Sequence, residues 1–453
     1  MPAARPGGRL GAISAARGKV KLTGLQWLIV VIWFILLFDP QWFVASFGLK
    51  IILRFPMVLL GVLLIAMFME PREGDRLYGI LAWTSVAAIN LPFAYDRGAS
   101  MPEFRSLIFY YVIGLAVIRY FRSPRVASSI IFLLLVGQYL WWGLWGLKSA
   151  SVYWHPNLDN FDGYGPLMAT GIGPGYYYAA GSKDTRSKVL GYTAAVLSVI
   201  GCVNSFARGA VLGLIVTAGY IWLRSPNKGR MTMMAVVGMG IVVIISLVVP
   251  GKSRGDDTRD NFFDEMSTMF DDSEGSTGDD RKVLWAAAMK VFYQHPILGA
   301  GLEQFGPDAA MTFKMGDVGG AYAENPSRLY ARALHSNYFQ LLSEFGLVGA
   351  AIFIWMLVEF WRRCHFFLKP STAVIWQRAG GAQDIRSLAL GLESGMVGFL
   401  ATGVFFNQLF QMWFYGLVIM AALLETLVKR AAQPVPVRGG PRPRPRLAPA
   451  GAR

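Results

Sequence analysis

Residues 335–361, HSNYFQLLSEFGLVGAAIFIWMLVEFW, decide the fold. Between Glu344 and Glu359 there is no charged residue. The run is apolar on every helical face, whereas a soluble amphipathic helix would keep a polar stripe. At about 1.5 Å per residue it is long enough for a hydrocarbon layer of about 30 Å. Runs of the same kind recur at 23–39, 55–69, 77–93, 104–121, 127–147, 164–180, 187–203, 208–224, 231–249, 388–408 and 409–429. The expected fold is therefore all-α, a polytopic membrane protein with about twelve transmembrane helices. The stretch 40–54 is apolar but carries Lys50 and Arg54, and reads as an interfacial or re-entrant segment.

Composition agrees. Hydrophobic residues make up 54% of the 453 and charged residues only 16%, against about 25% charged in an average soluble chain. The net charge of +15 would suggest nucleic acid in a soluble protein. Here the cations sit in short loops between apolar runs, so they read as topogenic charge, and no nucleic-acid partner is expected. Cys202 and Cys364 lie in or just beyond apolar runs and suggest neither a disulfide nor a metal cluster.

The loops alternate in charge. One side carries Arg72, Arg122, Lys183, Arg224, Arg362 and Arg378 with their basic neighbours, and both basic termini. The positive-inside rule puts that side in the cytoplasm. The layout is then a basic cytoplasmic tail at 1–22, nine helices within 23–249, an outer loop at 250–336, three helices within 337–429 and a disordered basic tail at 430–453. The first part of the loop is acidic, and its NFFDEMSTMF stretch could form a short amphipathic helix. Arg281–Gln294 places Leu284, Ala288, Val291 and Phe292 on one face, with Asp279 or Asp280 as cap and Pro296 as stop. It reads as a helix lying on the membrane surface.

Chemistry concentrates at the outer face. His335 sits at the mouth of the tenth span, where the positive end of the helix dipole favours a neutral imidazole able to accept a proton. Asn337, Gln340 and Glu344 continue from it as one polar stripe into the membrane. The competing reading makes His335 an interfacial residue and Glu344 the packing partner of an internal arginine. Arg208, in CVNSFARGAVLG, is a cation on the side where the charge rule disfavours one, which argues for an anionic partner such as phosphate. Arg281 at the start of the loop helix is a second candidate; the alternative for both is a headgroup-facing surface cation. In HPILGAGLEQFG, Gly299, Gly301 and Gly306 permit a tight turn and close backbone approach. His295 reads as a helix C-terminal cation, with a ligand-facing role as the alternative.

These residues resemble the bacterial O-antigen ligase and polymerase superfamily. His335 and Ser336, joined through nine residues to Gly346 and Gly349, match the spacing of its ligases. SFARGA resembles its Ser-Arg-Gly segment, and RKVLWAAAMKVFYQHPILGAGLEQF its arginine-bearing helix and the turn that follows. One departure stands out: four residues after Arg281, where a leucine is common, this chain has Trp285. The resemblance implies an inner-membrane enzyme that transfers a glycan from an undecaprenyl-diphosphate carrier to an acceptor hydroxyl at the periplasmic face. The acceptor would be lipid A–core, a protein or a growing polysaccharide. His335 would be the catalytic base. Arg208 and Arg281 would bind the diphosphate, and Ser336, Asn337, Gln340, Glu344, Gly346 and Gly349 would support them. The reaction would invert the anomeric centre and need no metal or cofactor. The partners implied are the lipid-linked donor, the glycan acceptor and membrane lipids. Two alternatives stand beside a ligase. One is a polymerase or protein O-oligosaccharyltransferase of the same superfamily. The other is a transporter or flippase, for which the GIGPG interruption at 171–175 is the main argument.

Overall fold

A computed structural model describes residues 22–38, 77–127, 132–148, 161–240 except 206, 230, 234 and 239, and 277–433. Among these the chain is helical, with short 3-10 turns and no strand. The helices are α1 (Gly24–Phe38), α2 (Tyr78–Asn90), α3 (Arg97–Tyr120), α4 (Phe132–Lys148), α5 (Phe161–Gly181), α6 (Thr185–Asn204) and α7 (Arg208–Arg224). They continue with α8 (Thr277–Gln294), α9 (Phe305–Thr312), α10 (Asn337–Phe367), α11 (Pro370–Arg378), α12 (Ile385–Thr402) and α13 (Met412–Ala432). Of these, α3, α6, α10 and α13 are long and apolar enough to cross a membrane, and α1 and α2 are shorter apolar helices. The protein is a multi-pass membrane protein.

Two helices organise the bundle. The first, α13, is buried along almost its whole length, which is why it can be apolar all round. The second, α5, packs against α4, α6, α7 and α12. Its GIGPG stretch does not break it: α5 runs through Pro174. The glycines serve contact instead. A Cβ on Gly171 would strike Tyr139 and Ser198, one on Gly173 would strike Ser394, and one on Gly175 would strike the backbone of Gly191 and Ala195. Small residues that let helices approach closely are the usual packing device inside membranes. The interruption read from the sequence is therefore a packing face, and the main argument for a transporter goes with it.

The helix ends sort into two layers. Asn90, Asp96, Arg208 and Asn337 share one end: Asn90 Nδ2 donates to the Leu298 carbonyl and Asn337 N to the Gly403 carbonyl. At the other end, Arg363 pairs with Glu425 at 3.0 Å, Arg430 Nη1 donates to the Ile118 carbonyl and Gln26 Nε2 to that of Tyr120. The loop cations that the sequence puts on one side of the membrane, Lys183, Arg224, Arg362 and Arg378 among them, lie at or near helix ends of this second layer.

The loop helix differs from its expectation. It begins at Thr277, so Asp280 lies in its first turns rather than capping it. Its apolar face does not lie open to a lipid surface. Leu284, Ala287, Ala288 and Val291 are buried with Phe305, Ala309, Phe313, Val318, Tyr322, Leu329 and Leu334 in a core of the loop's own. A face of this kind can be satisfied by membrane or by protein, and residues 305–334 supply the protein. The runs 40–54 and 55–69, most of 231–249, the acidic segment with NFFDEMSTMF, and the N-terminal and C-terminal tails lie outside the described residues.

Candidate functional site at the start of α10

The site is built on the start of α10. Ser336 is its N-cap residue and makes no side-chain cap bond. The first turn is held by a neighbouring turn, residues 403–411. The Ser336 N–H donates to Asn407 Oδ1 at 2.9 Å, and Asn337 Oδ1 accepts from Gln408 N at 2.5 Å. That turn is fixed in turn by two phenols: Tyr110 donates to the Phe410 carbonyl and Tyr415 to the Leu409 carbonyl. His335 precedes the cap with φ +49°. A non-glycine residue there carries backbone strain, which surrounding contacts must hold in place.

Two turns further on, α10 is broken. Gly346 has φ +62° and ψ −159°, a conformation essentially restricted to glycine. The broken turn is repaired by the HPILGAG loop. Leu347 N donates to the Pro296 carbonyl and Val348 N to that of Ile297, while Ala300 N and Gly301 N donate to the carbonyls of Ser343 and Glu344. Gly299, at φ +74°, passes so close that an added Cβ would meet the Glu344–Phe345 peptide. Gly349 gives room to the Phe345 side chain, which stacks on Trp83 at 4.4 Å. Gly346 and Gly349 thus have a physical role as the break and its seat. Gly306 also allows close approach, since a Cβ there would meet the Leu329 and Tyr330 carbonyls.

The loop that repairs α10 also brings chemistry to it. Glu344, buried, accepts from Glu303 N at 3.1 Å and from Gln340 Nε2 at 3.3 Å. The same Gln340 Nε2 donates to Glu303 Oε1 at 3.1 Å. Among the described residues Glu344 makes no ion pair with arginine, so the packing-partner reading fails; its partners are an amide and a backbone N–H. Glu303 itself has φ +57°. Gln304, fully buried, ties the loop to the start of α3 through Asp96 N, Asp96 O and Ser100 Oγ. Asp96 caps α3 by accepting from Gly98 N and Ala99 N. The Tyr330 hydroxyl donates to its other oxygen at 2.9 Å, and these bonds hold the Asp96 carboxyl below the usual range and push the Tyr330 phenol up. Together these groups wall a cavity of about 310 Å³, lined by Asp96, Glu303, Glu344, Tyr330, Arg332 and Asn407, with Ala333 and Leu334 leading directly into His335.

His295 is paired: its Nε2 lies 3.1 Å from Asp308 Oδ1. Burial pushes the Asp308 carboxyl up, and His295 pulls it back.

The two arginines approach from separate helices. Arg208 is the first residue of α7. Gly209 beside it is pressed against Phe405 and Phe406 of the turn that holds Ser336 and Asn337. Arg281 lies one turn before Trp285, whose ring stacks on Phe339 at 5.0 Å and whose Nε1 donates to the Leu334 carbonyl at 3.0 Å. That contact explains why tryptophan stands four residues after Arg281: the indole spans from α8 to the segment that carries His335. The elements bearing His335, Arg208 and Arg281 therefore converge at one end of the bundle. Among the described residues no group of three or more His, Cys, Asp or Glu side chains is placed to hold a metal ion.

Sequence reasoning missed Asp96, Glu303, Gln304 and Asn407. Their contacts join segments far apart in the chain, and no local spacing announces them.

Residues 193–354 match the family model described as O-antigen ligase. The matched span runs from α6 past the break in α10 and contains Arg208, Arg281 and His335. Comparison with curated proteins gives no match.

Proposed function

We propose that the chain is a ligase-type glycosyltransferase of the O-antigen ligase and polymerase superfamily, whose family model matches residues 193–354. It moves a glycan from undecaprenyl diphosphate to an acceptor hydroxyl, such as one on lipid A–core, at the periplasmic face of the inner membrane. The observation that supports this reading is the packing, at one end of the bundle, of the segment that carries His335 against the helix that bears Arg281 and against the turn that abuts the start of the Arg208 helix. That is the pairing a displacement at an anomeric carbon requires: a base on one side and cations for a departing diphosphate on the other.

His335 takes the proton of the acceptor hydroxyl. The oxygen forms its bond to the anomeric carbon as the carbon–oxygen bond to the diphosphate breaks. Undecaprenyl diphosphate leaves with the electron pair, and Arg208 and Arg281 offset the charge that develops on it. A single displacement inverts the anomeric centre. The arginines take the part that a divalent cation plays elsewhere, so transfer persists in EDTA.

The test is transfer in detergent with purified protein, a carrier-linked oligosaccharide and lipid A–core, in the presence of EDTA. Wild-type protein should glycosylate lipid A–core, and His335→Ala should lose the activity while still inserting into membranes. Activity retained by His335→Ala would remove it as the base. Lengthening of carrier-linked chains without lipid A–core would make the enzyme a polymerase instead.

A further inference from the structure

A second cavity, of about 240 Å³, lies in the opposite layer of the bundle, where the start of α2 meets the C-terminal ends of α10 and α13. The transfer step leaves it unused. Its charged lining is Glu359, Arg362, Arg363, Glu425 and Lys429, three cations against two carboxylates, so one positive charge is in excess. The carboxylates are engaged. Glu425 takes Arg363 at 3.0 Å and Lys429 at 2.6 Å, and Glu359 takes Arg362 Nε and Nη2 at 3.2 and 2.8 Å. The cations are not used up by these pairs. Among the described residues Arg362 Nη1 meets no acceptor, and Lys429 gives a carboxylate only one of its three donors. Both side chains are partly open, Arg362 at 55% and Lys429 at 43% exposed. Spare donors and surplus positive charge together suit an anion, and phosphate oxygens suit a guanidinium best. The rest of the lining is apolar: Leu77, Met356 and Val418, with the exposed rings of Tyr78 and Trp355. Tyrosine and tryptophan of this kind sit at the level of lipid headgroups. A soluble anion has no use for such a lining, whereas an amphiphile has.

We infer that this cavity binds the headgroup of an anionic phospholipid of the cytoplasmic leaflet. The phosphate accepts from Arg362 Nη1 and Lys429 Nζ. The glycerol backbone lies against Met356 and Val418, and the acyl chains run along the outside of the bundle. The leaflet follows from the charge rule, which puts this basic layer in the cytoplasm. A headgroup of one negative charge cancels the excess of the lining. A zwitterionic headgroup leaves the excess in place and adds an ammonium to it. The volume is below the about 300–1,000 Å³ of sites that enclose a whole ligand, as suits a headgroup whose chains stay in the membrane. By bridging α10 and α13 the lipid adds to the ion pairs that already join them, and it stabilises the folded bundle.

Two arms test this. The first is thermal unfolding of the full chain in detergent with added dioleoyl phosphatidylglycerol, dioleoyl phosphatidylcholine or inorganic phosphate. Wild type is compared with Arg362→Gln, Lys429→Gln and Arg378→Gln, the last an exposed cation on α11 outside the cavity. The readout is the increment that each additive gives, so a lower starting Tm in a variant does not affect it. Phosphatidylglycerol should raise the Tm of wild type and Arg378→Gln by about 3 °C or more at saturation. At least half of that rise should be lost in Arg362→Gln and in Lys429→Gln. Phosphatidylcholine and inorganic phosphate should give none. The second arm uses wild type alone, so it does not depend on any variant folding. A phosphatidylglycerol with a diazirine at the start of one acyl chain is photolysed in the complex, and the labelled peptides are mapped. Labels should concentrate in 77–80, 355–363 and 418–429. An equal rise in Arg362→Gln, an equal rise with phosphatidylcholine, or labels spread over the bundle would mean general lipid contact and overturn the inference. A rise with inorganic phosphate would make the ligand a free anion and overturn the lipid. Indifference to every additive would also overturn it, and would leave the cations to a carboxylate of this chain.

Discussion

Two non-glycine residues among those described have positive φ, Glu303 at 57° and His335 at 49°; Glu303 lines the cavity of about 310 Å³, and His335 directly follows its lining residues Ala333 and Leu334. Strain of this kind costs about 1–3 kcal/mol at each position and persists where the surroundings over-determine it. Here the surroundings are the 403–411 turn for His335 and the Gln340–Glu344 pair for Glu303. Arg208 belongs to the same scale. Its proposed work is to grip diphosphate oxygens with a planar fork, which a lysine point charge cannot copy. Arg208→Lys keeps the charge and the helix start. It should therefore lower the transfer rate roughly ten- to hundredfold, the scale of one lost charge-assisted hydrogen bond of about 1.5–3 kcal/mol. Initial rates over a range of donor concentrations, with acceptor saturating, would measure this. Rates equal to wild type would remove the diphosphate role.

At the scale of elements, the unit that matters is the broken helix and the loop that repairs it. Breaking α10 at Gly346 frees backbone groups inside a membrane protein, where each unmet group is expensive. The HPILGAG loop meets them through four hydrogen bonds, at Ser343, Glu344, Leu347 and Val348. The break also turns Glu344 toward Glu303. Gly346→Ala combines a forbidden φ with a Cβ 2.5 Å from the Ile297 carbonyl oxygen. It should lower the apparent Tm in detergent by several degrees, by the loss of roughly 2–4 kcal/mol, and abolish transfer. Gly319→Ala is the control: its φ is −86° and a Cβ there meets nothing, so its Tm should stay at wild type. Equal melting of the two variants would mean the break is not a strained, required feature. This element also marks how far the sequence could be read. The spacing from His335 to Gly346 and Gly349 was legible, because it is local to one helix. So were the long apolar helices among the described residues, α3, α6, α10 and α13, because apolar length alone reports them. What the glycines are for was not legible: the partner loop, residues 296–301, lies more than forty residues earlier. Glu303 and Asp96 were hidden for the same reason, since Gln304 meets Asp96 across 208 positions of sequence. GIGPG was misread because glycine that breaks a helix and glycine that lets helices touch look alike until a neighbour such as Ser394 is in place.

At the scale of the whole molecule, the sidedness of the bundle decides what the site can do. The two layers of helix ends differ in kind: one holds the broken helix and the cavity, the other the ion pairs Arg363–Glu425 and Lys429–Glu425. The positive-inside rule assigns the second layer to the cytoplasm, and a carrier-linked glycan presented at the periplasmic face could then reach only the first. Both native cysteines are buried, so single introduced cysteines can report the two sides without removing them. Met315, 80% exposed in the loop, and Gln377, exposed on α11 beyond α10, mark the two layers. In intact spheroplasts a membrane-impermeant maleimide should label Met315→Cys and leave Gln377→Cys untouched until the membrane is opened. The reverse pattern would place the cavity in the cytoplasm, where the proposed site would meet nucleotide-activated sugars rather than flipped, lipid-linked chains. Because charge sorting and site geometry are independent features of the chain, their agreement in one labelling experiment would bind the topology and the chemistry to a single orientation.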